Sequence, residues 1–438
     1  MDSSVVLQRD SAARLDVTGP LPPVRPSPSR AQSRHGHERL LRHCTCAACG
    51  HHVAVPFLDP YEQPLAKLAW PMSRDEAEGM PRLPLEFVRC IGCGHVYNIR
   101  FEYGLVPYTE KPNRMYNKGS GWMRHLARVC DLLRDQVPSG ATVVEIGCGE
   151  GHLLRSLAER RPNARYIGFD PNASMETGGL FEARPQLFEA AVHMAECRPH
   201  LVISRHVLEH LVNPLGFLQS LEFAACCLDT PTWVFIEVPC IDRALTTGRT
   251  SDFYYEHNSH FTTTSFTRML HRGAAHVEWI KPSYDGEVIC GLARLGSSRE
   301  AVDFAREAAA FREMAAAGLL MLSQQLAELA NSGQRVAIWG GAGKAAAFLN
   351  RFGVDADRFP IVVDSDLDKV GTFVPGTGQR IRPVDYLLDS PVEIILIPMQ
   401  WRARDILAEM ARTGITCRQV LIEHEGRLLD FERDAHPY

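Results

Sequence analysis

The sequence lacks any apolar run near the roughly 18 residues that a membrane-spanning helix needs, so no membrane span is expected. It also lacks a strong charge of one sign. A net charge of −5 leaves no electrostatic footprint for a nucleic-acid partner. No apolar h-region opens the chain, which argues against a secretory signal. The Arg- and Ser-rich start raises the alternative of an organelle presequence, and Asp2, Asp10 and Asp16 speak against it. An even cysteine count is missing too: of 13 cysteines, four fall into two C-x-x-C pairs. Others, such as Cys130, Cys148, Cys226 and Cys290, are scattered among apolar neighbours. That usage fits a reducing compartment with one metal site better than a disulfide framework, and the expected location is cytoplasmic.

What is present is a globular composition. With 45% hydrophobic residues over 438 positions, the chain has room for two or three domains. Residues 1–43 carry five prolines between Pro20 and Pro28 and no sustained hydrophobic period. They read as a disordered tail with a short ordered end near Leu40. Residues 44–105 form a small unit punctuated by cysteines. Over 106–298, strand-like runs ("TVVEI", "RYIGFD", "HLVIS", "TWVFIEVP") alternate with helical segments, which predicts a parallel sheet covered on both faces. Residues 299–438 begin with a long helix, or a bent pair, over 299–331. A second α/β unit follows: "RVAIWGGAGK", "FPIVVDSD" and "VEIILIP".

Cys46-x-x-Cys49 and Cys90-x-x-Cys93 are two rubredoxin-like half-sites about forty residues apart. Each tight turn offers a pair of thiolates, and together they complete a tetrahedral zinc shell. Four thiolates leave no position for substrate, so the expected Zn2+ is structural.

"VVEIGCGEG" ends an apolar strand on Glu145 and continues through Gly147, Gly149 and Gly151 into a helix starting near His152. Such glycines allow a sharp turn and bring backbone and a helix N-terminus close to a ligand. A dinucleotide fingerprint would need glycine at 152, which is His152. The E-x-G-x-G-x-G form instead resembles motif I of class I S-adenosylmethionine (SAM)-dependent methyltransferases. Asp170 ends the next strand, placed for two ribose hydroxyls. The resemblance implies that the Glu145 carboxyl lies near the methionine end of the cofactor. "SRHVLEHLVNP" resembles the active-site segment after the fourth strand of that fold, and Arg205 and His206 are assigned to the cofactor. His206 and His210 are four apart and would share a helix face. A metal pair is conceivable there, with Glu209 on a different face and no third ligand evident. A substrate-facing role for His210 is preferred.

Three segments together resemble one family, the three-domain sugar C-methyltransferases that act on nucleotide-linked keto-deoxysugars. They are "CAACGHHVAVPFLDPYEQPLA" with "VRCIGCGHV", the SAM core with "RHVLEH" and "YYEHNSHFT", and "VVDSDLDKVGTFVPGTGQRIRP". The resemblance spans about residues 44–425. It implies an α/β chain with a small zinc-binding N-terminal domain, a class I methyltransferase (Rossmann-like) core and a second Rossmann-like C-terminal domain. It also implies His257 as the general base, Glu256 and Tyr254 beside it, Tyr116 over the substrate, and His210 as an active-site histidine. His260 is left to packing. In the family, the C-terminal domain helps hold the nucleotide-sugar and uses no NAD. Its loop "WGGAGK" here has Gly340, Gly341, Gly343 and Lys344, with Asp364 ending the next strand. Where the family has an aromatic–asparagine pair after the last strand, this chain reads "IPMQWR".

Carbon has no lone pair to offer a methyl sulfonium, so a C–H proton must leave first, which is feasible next to a ketone. A histidine base and tyrosine or histidine oxyanion donors suit that chemistry. Glu256 and His257 would face opposite ways in an extended strand, so Glu256 is expected to meet substrate or backbone from a turn. The rival readings are an O- or N-methyltransferase of a specialised metabolite on the same scaffold, and a non-catalytic SAM-binding protein. The expected partner is a small molecule, and the expected state is a monomer or weak homo-oligomer.

Overall fold

The computed structural model describes residues 41–68, 70–110, 119–173, 179–296 and 298–438. Residues 1–40 of the tail expected over 1–43 and the candidate Tyr116 lie outside these residues. Two compact units divide the chain, one running to residue 296 and one over 297–438.

The first unit opens with β1 (Arg42–His43), β2 (Val53–Gln63), β3 (Leu83–Cys90) and β4 (Val96–Asn98). Arg42 and His43, expected at the end of the tail, pair with Ala54 and Val53. Five strands then alternate with helices: β5 (Thr142–Ile146), β6 (Arg165–Phe169), β7 (Glu182–Arg184), β8 (Leu201–Arg205) and β9 (Thr232–Pro239). The unit closes with β10 (Ser259–His260), β11 (His276–Ser283) and β12 (Val288–Leu295).

These strands make two sheets. The larger has the order β11-β12-β9-β8-β5-β6-β7, parallel from β9 to β7 and antiparallel at β12 and β11. Apolar residues on both faces of its central strands explain the two cores. Val144, Ile146, Val202, Val234 and Ile236 face one side. Val143, Leu201, Ile203 and Phe235 face the other, against Leu153 and Leu157 of the helix His152–Arg160. Continuous apolar strands of this kind belong to a sheet buried on both sides.

The smaller sheet is antiparallel, ordered β1-β2-β3-β4-β10. Its last strand comes from the far end of the core, with Ser259 paired to Tyr97 and His260 to Val96. Immediately after, Thr262 caps the helix Thr263–Gly273 in a reciprocal box with Ser265. Such a cap contributes about 1 kcal/mol and fixes where the segment before the helix must end. Residues 253–261 are thereby pinned at one end by a helix and along their length by a sheet.

The second unit starts with one continuous helix, Arg299–Asn331, capped by Ser298. A six-stranded sheet follows: β13 (Val336–Trp339), β14 (Ile361–Asp364), β15 (Ile381–Pro383), β16 (Ile394–Ile397), β17 (Gln419–His424) and β18 (Arg427–Asp430). Its order is β15-β14-β13-β16-β17-β18, with only β18 antiparallel. Leu322, Leu326 and Leu329 of the helix pack on one face of this sheet. The chain is α/β, with parallel sheets at the centre of both units.

Candidate functional site

The four cysteines of the two half-sites are buried and carry free thiols. Cys46 Sγ lies 3.7 Å from Cys93 Sγ, and Cys49 Sγ lies 3.7 Å from Cys90 Sγ. A tetrahedral shell with metal–sulfur bonds of about 2.3 Å has edges of about 3.8 Å, so the spacing fits zinc. The turns are shaped for this: Gly92 N–H points at Cys90 Sγ at 3.3 Å, and Gly50 and Gly94 adopt positive φ. Hydrogen bonding from Cys46 lowers the pKa of the Cys93 thiol.

The glycine loop lies between β5 and its helix. Gly147, Gly149 and Gly151 have φ of +72, +52 and +72, conformations a side chain resists. A Cβ on Gly147 would come 2.5 Å from Val207 Cγ2, whereas one on Gly149 would meet nothing within 4 Å. That open face is where a ligand can approach the backbone. Asp170 backs it, its carboxylate accepting from Gly149 N at 3.1 Å and Asn172 N at 2.8 Å. Glu145 is buried, and its Oε2 has no hydrogen-bond partner among the described residues. Burial, helped by the Glu237 and Asp170 charges and opposed by Arg205, pushes its carboxyl up to about 8. An open glycine turn backed by Asp170, with a buried acid that has one oxygen unpartnered, fits a hydroxyl-bearing cofactor such as SAM.

Arg205 and His206 converge on a residue the motifs did not single out. Glu237, inside β9, accepts from Arg205 Nη2 at 2.7 Å and His206 Nε2 at 3.0 Å on one oxygen. Its other oxygen faces His125 Nε2 at 2.9 Å. Burial would raise this carboxyl, but Arg205 and the two histidine hydrogen bonds hold it well below the usual range. Removing one partner of such a buried set costs about 3–5 kcal/mol. The signal was an acid inside an otherwise apolar strand.

His206 and His210 do not share a helix face, contrary to the expectation. His206 stands at φ +53 in the bend after β8, its N–H held by Glu237 O, and only Leu208–His210 forms a single 3-10 turn. That shorter turn also moves Glu209, expected on a different face, beside both histidines. Its Oε1 is 3.4 Å from His206 Nδ1, and a ligand atom of Glu209 lies within 4.8 Å of one on His210 and one on His257.

The segment 253–261 meets this turn. Tyr254 Oη and His257 Nε2 are 2.7 Å apart, and the His257 and His210 rings make an edge contact with centroids 4.9 Å apart. His210 Nδ1–H donates to Glu256 O at 2.7 Å, and Tyr108 Oη–H donates to the same carbonyl at 2.7 Å. Burial, with the His210 and Lys67 charges, holds the His257 imidazole well below its ordinary range, so it is neutral at pH 7. Glu256 sits in a turn, and its fully buried carboxylate accepts from the backbone N–H groups of Ala66, Lys67 and Leu68 at 3.1, 2.6 and 3.0 Å. It holds a loop of the cysteine module against the site. His260 is buried between Phe87 and Phe253.

Two further residues escaped the motif search. Tyr108 joins the Glu256 carbonyl to His210. Lys67, half-buried in the stapled loop, has its ammonium disfavoured by burial and favoured by Glu209 and Glu256. Its place directly after "EQPLA" was the available signal.

In the second unit, Gly341 N–H donates to Asp364 Oδ2 at 3.1 Å, and the Lys344 ammonium stacks over Trp401 at 4.3 Å.

A methyltransferase domain matches residues 122–273, and a C-methyltransferase C-terminal domain matches residues 297–418. No curated protein sequence matches the chain. Among solved structures, a SAM-dependent methyltransferase from Aquifex aeolicus is similar at 12% identity, over 41% of this chain and 100% of that one, with a TM-score of 0.30. The plantazolicin methyltransferase BpumL in complex with SAH is similar at 13% identity, over 41% and 86%, with a TM-score of 0.31. An O-methyltransferase family protein from Burkholderia thailandensis is similar at 14% identity, over 40% and 57%, with a TM-score of 0.31.

Proposed function

We propose that this chain, a SAM-dependent methyltransferase with a C-methyltransferase C-terminal domain, methylates a carbon next to a ketone of a nucleotide-linked deoxysugar or similar carbonyl compound. The observation that carries the reading is the half-buried, neutral His257 held by Tyr254. With its Nε2–H donating to the Tyr254 oxygen, the ring keeps the Nδ1 lone pair to act as the base. That nitrogen takes the proton from the carbon, and the electron pair moves onto the ketone oxygen as an enolate. Burial of the surroundings makes charge stabilisation there worth more than in water. Lys67 and the Tyr254 hydroxyl are the groups suited to meet the oxyanion. His210, oriented by the Glu256 carbonyl, lines the same space, and Tyr116 is assigned to the substrate on the family resemblance alone.

Gly147, Gly149, Gly151, Glu145 and Asp170 would hold SAM, with Arg205 and His206 shaping the wall through Glu237. When bound, SAM supplies an electrophilic methyl group. Cys46, Cys49, Cys90 and Cys93 would hold a structural Zn2+, whose closed shell keeps it out of the chemistry.

The test is proton exchange. A screen of nucleotide-sugars for a mass gain of one methyl identifies a substrate. In deuterated water without SAM, that substrate should lose one C–H to solvent. His257→Asn should stop the exchange and lower turnover by about 10²–10⁴-fold, with SAM affinity by calorimetry nearly unchanged. Turnover without any exchange would move the reading to O- or N-methylation.

A further inference from the structure

The base segment and the turn after β8 bring together more than an acid–base pair. Glu209, His210 and His257 each present one donor atom, and these atoms lie within 4.8 Å of one another. Two imidazole nitrogens and one carboxylate oxygen form a donor set suited to divalent first-row metals. The Glu209 carboxylate supplies an independent sign. It is 1% exposed, and neither oxygen has a hydrogen-bond partner among the described residues. Its contact with His206 Nδ1, at 3.4 Å, is an ion-pair distance without hydrogen-bond direction. A buried ionised carboxylate without a donor is costly unless something else satisfies it.

The surrounding contacts match what metal ligands require. A ligating histidine is commonly fixed by a hydrogen bond on its other nitrogen. His210 Nδ1 donates to Glu256 O at 2.7 Å, and His257 Nε2 meets Tyr254 Oη at 2.7 Å. Two groups oppose a cation: the Lys67 ammonium, whose charge acts on both Glu209 and His257, and His206, whose charged form Glu209 and Glu237 favour.

We propose that Glu209, His210 and His257 form a second metal site, separate from the four cysteines, that takes a divalent first-row transition cation. The site rests on the donor set and not on the assignment of His257 as base. Its consequence meets that assignment directly. A cation on the Nδ1 lone pair of His257 removes the lone pair that would accept the carbon's proton, so metal and base exclude one another.

Mn2+ is the suitable probe, because its preference for oxygen and nitrogen over thiolate leaves the cysteines aside. Titrated into the zinc-loaded full-length protein, Mn2+ should lose its free-ion paramagnetic resonance signal to one site per chain. Glu209→Gln and His257→Asn should each weaken binding at least tenfold, with circular dichroism and SAM affinity confirming the fold. Lys67→Met, which removes one opposing charge, should tighten it severalfold. Bound Mn2+ should also suppress substrate proton exchange. No binding at millimolar Mn2+, or binding unchanged in both ligand variants, overturns the proposal. So does Mn2+ binding that disappears only when the cysteines are replaced. Exchange measured without Mn2+ tests the base separately, so failure of one reading is distinguishable from failure of the other.

Discussion

The molecule contains two strand–glycine–helix turns that share a hydrogen bond to the next strand's aspartate and differ in chemistry. In both, an amide of the loop donates to the aspartate ending the next strand at 3.1 Å: Gly149 to Asp170 and Gly341 to Asp364. Behind the first loop stands Glu145, buried and with one oxygen unpartnered, next to the Arg205–Glu237 pair. The corresponding position two residues before Gly340 is Ile338, an apolar core residue. A Cβ on Gly149 would point into open space, whereas one on Gly341 would come 2.5 Å from Ile381 Cδ1. Each turn has one open glycine, Gly149 in the first and Gly343 in the second, but only the first has a buried acid behind it. A shared turn geometry therefore does not imply a shared ligand.

The largest expected contrast between the two units comes from metal. Stripping zinc with a strong chelator should melt the small sheet and with it the loop held by Glu256. The second unit, with no cysteine cluster among its described residues, should keep its folding transition. Calorimetry showing both transitions unchanged would remove zinc from the structure's support. The next contrast is between the aspartates. Asp170→Asn should weaken SAM binding about 10–100-fold, on the scale of a lost charge-assisted hydrogen bond pair, while Asp364→Asn should leave it unaltered. Equal losses in both would mean that the second loop also serves the cofactor.

The smallest effect is a pH shift. His257 is held below its ordinary pKa of about 6.5, chiefly by burial and then by His210 and Lys67. The neutral base thus persists as pH falls through 6.5, and the acid limb of kcat/KM should lie below that value. The unfolded chain takes up the proton first, so this group's contribution to stability declines as pH falls below about 6.5. Lys67→Met should bring the acid limb back up by a fraction of a pH unit. An acid limb at or above 6.5 in the native enzyme would remove His257 from the base role.

The strands and both glycine turns were legible because apolar runs ending in glycine have few alternatives to a parallel strand entering a helix. The cysteine pairs were legible from spacing. The interior of the site was not. Glu256 holds Ala66, Lys67 and Leu68 from 188–190 residues away, and no local pattern announces such a contact. Helical spacing placed His206 and His210 on one face, but the chain after β8 bends at His206 to keep pairing with Glu237. That bend turned Glu209 from a bystander into a neighbour of His257. Glu237 carried a visible signal, a charged residue in an apolar strand, whose partners only the fold supplies.

The pairing of Ser259 with Tyr97 joins strands roughly 160 residues apart, and contacts of that span form late because their loop-closure cost comes first. Until β10 arrives, β4 is the open edge of the small sheet, an invitation to association with other chains. Synthesis from the N-terminus exposes that edge while the core is still being made. The segment that carries the proposed base is therefore also the edge guard of the cysteine module. Assembly of the active site and protection from misassociation are completed in the same folding step.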